Sequence, residues 1–109
     1  MKIQDVPFST IDWSKLKSTV QPDKNGDVIS RTFEMGNIRV RMIEFPPGYQ
    51  AVEWCAKGHA VYILEDELIT ELSDGQKIIS PAGTSFVVAD DHGSHRGSTK
   101  KGVKLLIVD

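Results

Sequence analysis

Cysteine is almost missing from this sequence, in which Cys55 is the single thiol among 109 residues. An internal disulfide is therefore impossible, and we expect the thiol to be free or bound to a metal, in a cytoplasmic protein. Long apolar runs are missing as well. The longest, residues 60–64 and 86–89, fall far short of the ~20 residues that a bilayer span requires. The N-terminus has no apolar signal-peptide core, so we predict no membrane association.

The sequence also lacks an excess of positive charge. Its formal net charge is −2 and it contains no nucleic-acid-binding motif, so we predict no nucleic-acid partner. Apolar residues make up 39% of the chain and charged residues 26%, which indicates a folded protein with one core rather than a disordered chain. A length of 109 residues fits one domain, residues 1–109.

No convincing long helix is predicted after the first part of the chain. Residues 8–16 favour a helical turn capped by Ser9 or Asp12, and residues 21–27 are rich in turn formers and predict a loop. We therefore divide the domain into an N-terminal arm, residues 1–27, and a β-barrel, residues 28–109. Turn-forming residues punctuate the second part, where strands are predicted at 28–35, 38–45, 51–55, 59–65, 68–72, 76–80, 84–89, 94–98 and 103–108.

Many short strands indicate an all-β sandwich or barrel, and periodicity alone leaves three architectures open. An immunoglobulin sandwich would carry a Cys…Trp…Cys pattern, which this sequence does not have. A nucleic-acid-binding OB-fold would carry a basic face studded with aromatic residues, which is also missing. The jelly roll is the third possibility.

Two segments, one from Pro47 to Leu68 and one from Pro81 to Thr99, resemble the two motifs of the cupin barrel, a jelly roll also called the double-stranded β-helix. The first resembles the cupin hairpin at its end, with Asp66 in place of the usual Gly. An Asp tolerates the left-handed backbone conformation of such a turn at modest cost.

The cupin motifs imply a set of site residues. Glu53 and Cys55 stand at the positions of the family's His-x-His pair, and His59 stands at its Glu ligand. His95 stands at the second-motif His, and Thr99 at the Asn that follows it. The resemblance thus implies a metal site in the barrel pocket.

The whole chain also resembles the small DHCW-motif cupin-fold proteins. Val52 and Glu53 depart from that motif, since the relatives carry Asp and His there. The resemblance implies a cupin fold and a metal site but no known reaction. The shared features are Asp12-Trp13, Arg39-Val40-Arg41-Met42, Pro47-Gly48-Tyr49, Trp54-Cys55-x-Lys57-Gly58-His59, His95-Arg96 and Ile107-Val108-Asp109.

The ligand set narrows the choice of metal. Glu53, His59 and His95 together form the two-His, one-carboxylate set of non-haem Fe(II) centres, whereas adding Cys55 favours Zn(II). Ni and Mn are further alternatives. Cys55 as an ordinary buried small residue, and Glu53 as an ion-pair partner of a barrel arginine, are the competing interpretations.

The pocket is predicted to be completed by Arg41, Arg96 and Thr99, and to admit a small molecule. Three functions remain open: a metal-dependent enzyme, a non-catalytic module that binds a metabolite or metal, and a metal-free cupin kept for its dimer surface. Placing a Glu at position 53, where the family has His, favours the second and third.

Strand alternation predicts an exposed apolar face. If Glu53, Cys55, His59, Val61 and Ile63 point into the barrel, their neighbours point outward. A monomer rarely leaves such a patch in water, so we predict a two-fold homodimer in which the arm, with its apolar Phe8 and Trp13, contributes to the cover. The residues of this outward patch are Val52, Trp54, Tyr62 and Leu64.

Overall fold

The computed structural model describes residues 2–109, and within them the regular structure is eight β-strands and one short 3₁₀ turn, Trp13–Lys15. The predicted all-β class is confirmed. None of the described helices is long and apolar enough to cross a membrane. The strands are β1 (Thr19–Asp23), β2 (Gly26–Met35), β3 (Ile38–Phe45), β4 (His59–Leu72), β5 (Lys77–Pro81), β6 (Ser85–Val88), β7 (His95–Ser98) and β8 (Val103–Val108).

The N-terminal region contains more structure than the sequence predicted. Asp12 caps the 3₁₀ turn, as expected, by accepting a hydrogen bond from the backbone N–H of Ser14 at 3.1 Å. The predicted loop at 21–27 is wrong, because β1 and β2 form a hairpin in this segment. The turn formers lie at its tip, where Gly26 adopts a φ of 133° that favours glycine.

Strand β4 organises the fold because it belongs to two sheets. Its first half pairs with β8 on one side and β6 on the other, and its second half pairs with β5 and β7. The sequence predicted two strands here, at 59–65 and 68–72. They are one strand with an irregularity near Asp66, whose φ of 62° lies in the left-handed region.

The two sheets enclose one core. The first sheet has the order β1-β2-β3-β8-β4-β6, and the second consists of β5, the end of β4, and β7. Alternate residues of β3, β4 and β8 point between the sheets, which buries the apolar member of each pair. The buried core residues are Ile43, Val61, Ile63, Leu68, Val103 and Leu105.

Residues 51–55 were predicted to be a strand, and this prediction is wrong. Ala51 donates its backbone N–H to Gly97 O at 2.9 Å, and Cys55 donates to His95 O at 2.8 Å. From Ala51 to Cys55 this segment advances four residues, whereas β7 advances only two, from Gly97 to His95. The intervening residues 52–54 therefore bulge outward. All three are exposed as a result, and only Gln50 and Cys55 form isolated β-bridges to β7.

The outward patch is largely as predicted. Val52 is 82% exposed, Trp54 45% and Tyr62 43%, whereas Leu64 is half-buried. The arm contacts β2 of the first sheet, where Arg31 Nε donates a hydrogen bond to Leu16 O at 3.2 Å. Phe8 is 97% exposed within the single chain, so the contribution of the arm to a dimer interface stays a prediction.

Candidate functional site

Three potential metal ligands converge at one end of the barrel. Cys55, His59 and His95 each present a ligand atom, and these atoms all lie within 4.8 Å of one another. The imidazole Nε2 atoms of His59 and His95 are 2.9 Å apart. The elements explain the convergence, since His59 begins β4, His95 begins β7, and Cys55 forms a β-bridge directly to His95.

Gly58 allows His59 to enter the strand where it does. Its backbone N–H donates to Asp90 Oδ1 at 2.6 Å, and a Cβ on this residue would lie 2.5 Å from Asp90 N and 2.8 Å from Ala89 C. Only glycine permits that approach of two backbones. Close packing therefore explains why a glycine precedes His59 in the segment Trp54–His59.

Both imidazoles are adapted to be neutral. Burial lowers the pKa of His59, and the neighbouring His95 lowers it further; burial likewise lowers the pKa of His95. Neutral imidazole is the form that binds metals. In the absence of a cation, one Nε2 donates to the other, and the Nδ1 atom of each ring is buried without a protein partner.

The three side chains suit a divalent cation. Two nitrogens bonded at about 2.1 Å to one ion lie about 3.0 Å apart when the bond angle is about 90°. The observed separation of 2.9 Å between the two Nε2 atoms matches that angle, and the tetrahedral angle that zinc prefers requires the two atoms to move apart by about 0.5 Å. The half-buried Cys55 thiol supplies a third, softer donor.

Glu53, the fourth predicted ligand, does not join this group. It lies in the exposed bulge at 52–54, outside the cluster formed by the other three residues. Its side chain lines a cavity that lies between the two sheets. None of the ion pairs among residues 2–109 involves it. The alternation used to place it beside Cys55 fails because this segment is not a regular strand.

Of the three predicted pocket residues, Arg41 and Arg96 line the cavity and Thr99 does not. Arg96 Nε donates to Glu71 Oε1 at 2.6 Å, and its guanidinium stacks 4.2 Å from the Trp54 ring centre. The Thr99 hydroxyl is buried and lies 3.0 Å and 2.8 Å from the carbonyl oxygens of Glu67 and Gly102. It therefore stabilises a turn.

A carboxylate that was not among the predicted site residues lies next to the site. The Asp109 side chain is only 2% exposed and accepts two hydrogen bonds from Arg39, each 3.0 Å long. Arg41 Nη2 lies 3.3 Å away and Lys57 Nζ 3.8 Å away. The hydrogen bonds from Arg39, more than any other contact, hold the pKa of Asp109 below its usual value. The available signal was the pair of arginines that alternate on β3.

A cavity of about 220 Å³ lies between the two sheets beside the cluster. Its walls are mainly apolar and include Phe45, Val61, Phe86 and Ile107. On the other side of His59, a more polar surface groove of about 740 Å³ includes Arg39, Lys57 and Asp109 among its lining. His59 lines both spaces, and Cys55 and His95 line only the inner one.

Comparison with known proteins rests on structure. No family model matches the sequence, and no curated protein matches it. An RmlC-like cupin from Shewanella frigidimarina has a TM-score of 0.73 and 18% identity, over 96% of this chain and 92% of that one. The polyketide cyclase RemF from Streptomyces resistomycificus has a TM-score of 0.76 and 15% identity, over 94% and 78%.

A third similar structure is the Fe(II) form of HppE. Its TM-score is 0.72 at 14% identity, and the match covers 98% of this chain but only 62% of HppE. Identities this low establish the fold alone. With the two-sheet topology and these neighbours, the chain is a cupin-fold protein of the RmlC-like jelly-roll type.

Proposed function

We propose that this chain is a DHCW-motif cupin that holds one divalent metal ion on Cys55, His59 and His95, beside a cavity that receives a small molecule. The observation that carries the proposal is the 2.9 Å separation of the two Nε2 atoms, with the Cys55 thiol in the same cluster. The Fe(II) form of HppE supports it, because that protein holds iron on a similar fold.

Three protein ligands leave coordination positions open, which distinguishes a reactive or ligand-binding site from a closed structural one. A bound ion would supply Lewis acidity to a molecule in the cavity or lower the pKa of a water. The chain's own contribution is to hold the imidazoles neutral, to position the thiol, and to surround the site with apolar walls. Whether it acts as an enzyme or as a binding module follows from what enters the cavity.

The donor set favours zinc among the candidates. One thiolate and two imidazoles form a softer set than the two-His, one-carboxylate set of non-haem iron. Because Glu53 lies outside the cluster, its carboxylate does not complete the iron set. Iron, nickel and manganese are the alternatives. Elemental analysis after loading with each metal distinguishes them from zinc.

A metal-free binding module is the second candidate, and one observation favours it. The two Nε2 atoms lie at ordinary hydrogen-bond distance, so one neutral imidazole satisfies the other without an ion. In that case the cavity would bind its ligand through protein groups alone. We propose the metal site first because a hydrogen bond between the two imidazoles gives no role to the Cys55 thiol in the same cluster, whereas a bound metal ion does.

Two further proposals concern the setting of the protein. We propose a cytoplasmic location, since a thiol ligand is preserved in a reducing compartment. We also propose a homodimer formed through the exposed outer face of the first sheet, where Tyr62 and Val87 are among the exposed apolar side chains.

The test of the metal proposal is elemental analysis of the purified protein after loading with zinc, iron, nickel or manganese and removal of unbound ions. We expect stoichiometric metal, with zinc preferred, in the parent and in a His92→Ala control, because His92 is exposed and outside the cluster. His59→Ala and His95→Ala should each lose it. Protein that stays metal-free with all four ions would overturn the proposal and support the second candidate.

A further inference from the structure

Four polar residues that line the cavity have a buried side-chain atom without a hydrogen-bond partner. Among residues 2–109, the buried side-chain N and O atoms without a hydrogen-bond partner are Arg41 Nε, His59 Nδ1, Thr70 Oγ1 and His95 Nδ1. All four belong to residues that line the inner cavity. These four atoms are too deeply buried to touch a ligand themselves, but they show that polar residues lining the cavity are not fully paired within the protein.

The positive charge of Arg41 favours an anionic ligand in this cavity. Arg39, Arg41 and Lys57 surround one carboxylate, that of Asp109. Arg39 occupies both carboxylate oxygens at 3.0 Å, whereas Arg41 reaches one of them at 3.3 Å through Nη2 only. Arg41 is therefore incompletely neutralised, and its guanidinium, which can only donate hydrogen bonds, retains donors for a further acceptor.

The remaining walls set the size and polarity of the ligand. Arg41 and Thr70 extend from strands of different sheets, and apolar side chains such as Val61, Phe86 and Ile107 line the same cavity. A volume of 220 Å³ corresponds to about seven water molecules at about 30 Å³ each, which is below the usual volume of a drug-sized site. A compact ligand with an apolar body and one polar end fits this description.

We propose that the cavity binds a small monocarboxylic acid, with its carboxylate on the Arg41 guanidinium and its apolar body against Phe86 and Ile107. A singly charged carboxylate matches one guanidinium, whereas a phosphate dianion would bring in a second charge, and the other guanidinium among the described lining residues, that of Arg96, is already paired with Glu71. The proposal rests on the proposed function for the use of this cavity, but not on the presence of a metal.

The test measures binding of benzoate, benzyl alcohol and acetate by titration calorimetry. Benzoate carries both the charge and the apolar body, benzyl alcohol has no charge, and acetate has no large apolar body. We expect benzoate to bind at least tenfold more tightly than either of the others. Equal binding of benzoate and benzyl alcohol, or of benzoate and acetate, would overturn the proposal.

Two variants separate Arg41 from its charged surroundings. Arg41→Gln should remove the preference for benzoate over benzyl alcohol, and Arg41→Lys should retain part of it. Arg39→Gln is the matched control, because it removes the same charge beside Asp109 from a residue that does not line the inner cavity. The preference should survive Arg39→Gln, and a preference that also survives Arg41→Gln would overturn the assignment.

The titrations are made on zinc-loaded protein and on chelator-treated protein. A carboxylate held by Arg41 binds in both, whereas one held by a metal ion binds only in the first and would refute this inference. If the protein binds no metal at all, the proposed metal function fails while the chelated protein still tests Arg41. Amide chemical shifts of the parent provide a measurement that does not depend on how a variant folds. Benzoate should move the signals of Arg41, Val61 and Ile107, which line the inner cavity. Movement confined to residues of the surface groove, such as Asn37 and Val87, would refute the site.

Discussion

His59 and His95 present their Nε2 atoms to each other at 2.9 Å although 36 residues separate them in the chain. Each begins a different strand, and the Cys55–His95 β-bridge adds the thiol to the pair. The cluster therefore depends on the register of three segments, and substitutions that alter the ligands should be distinguishable from those that alter the register.

Cys55 and Glu53 are expected to differ in their effect on the metal. In cobalt-loaded protein, Cys55→Ser should remove the near-ultraviolet absorption of a thiolate–cobalt bond and weaken binding, because the hydroxyl is a poorer ligand. Glu53→Ala should leave both the spectrum and the affinity nearly unchanged, since Glu53 lies outside the cluster. Absorption spectra during a cobalt titration measure both. A thiolate band that persists in Cys55→Ser, or metal loss in Glu53→Ala, would contradict the ligand set.

Asp109 should stabilise the fold in a pH-dependent way. Its pKa is lowered in the folded state, so its contribution is present above the unfolded value near 3.9 and is lost as the pH falls through the lower folded value. Asp109→Asn should reduce the free energy of unfolding at pH 7 by about 1.5–3 kcal/mol, the range for a hydrogen bond to a charged group. Urea denaturation at pH 7 and pH 2.5 tests this. The deficit should shrink at the lower pH, and an equal deficit at both would show that charge is not involved.

Gly58→Ala should damage the register that positions His59. The added Cβ would meet backbone atoms of residues 88–90, which cannot move aside as a side chain can. We expect a loss of about 1–3 kcal/mol in the free energy of unfolding, typical of an overpacked site, together with weaker zinc binding. Asp90→Asn is the control, because its amide oxygen retains the acceptor for Gly58 N–H. Unfolding curves and zinc titrations that match the parent for Gly58→Ala would contradict the close approach.

The outer face of the first sheet should mediate dimerisation. Val87 is 79% exposed and pairs in the sheet with Ala60, two positions before Tyr62. The double variant Tyr62→Lys, Val87→Lys should convert the dimer to a monomer, because burying two lysines in an apolar interface is unfavourable. Ile79→Lys is the control, since Ile79 is 60% exposed on the second sheet. Light scattering at micromolar concentration measures the mass, and a monomeric parent would end the proposal.

Local pattern predicted the regular strands well. Strands β3, at 38–45, and β8, at 103–108, begin and end where alternation and turn residues placed them. In both, the signal is contained in neighbouring residues, because an alternating strand between turn formers has few other conformations available. The hairpin of β1 and β2 was missed because the same turn formers that suggested a loop form its tip.

The candidate site was predicted only in part. Cys55, His59 and His95 were identified from their positions in the cupin motifs, and the structure brings them together. Glu53 was placed beside them by strand alternation, which the bulge at 52–54 invalidates. That bulge depends on how many residues of β7 lie opposite, and no feature of residues 51–55 alone encodes that number.

The sequence by itself determined the all-β class, the alternating core and the identity of three potential ligands, because these follow from residue type, spacing and motif. Only the tertiary structure decided which polar groups meet. It paired His59 with His95, directed three cations toward Asp109 and left Arg41 only partly paired in the lining of an apolar cavity. Such contacts depend on the register between strands distant in sequence, and register is set by the packing of the whole barrel.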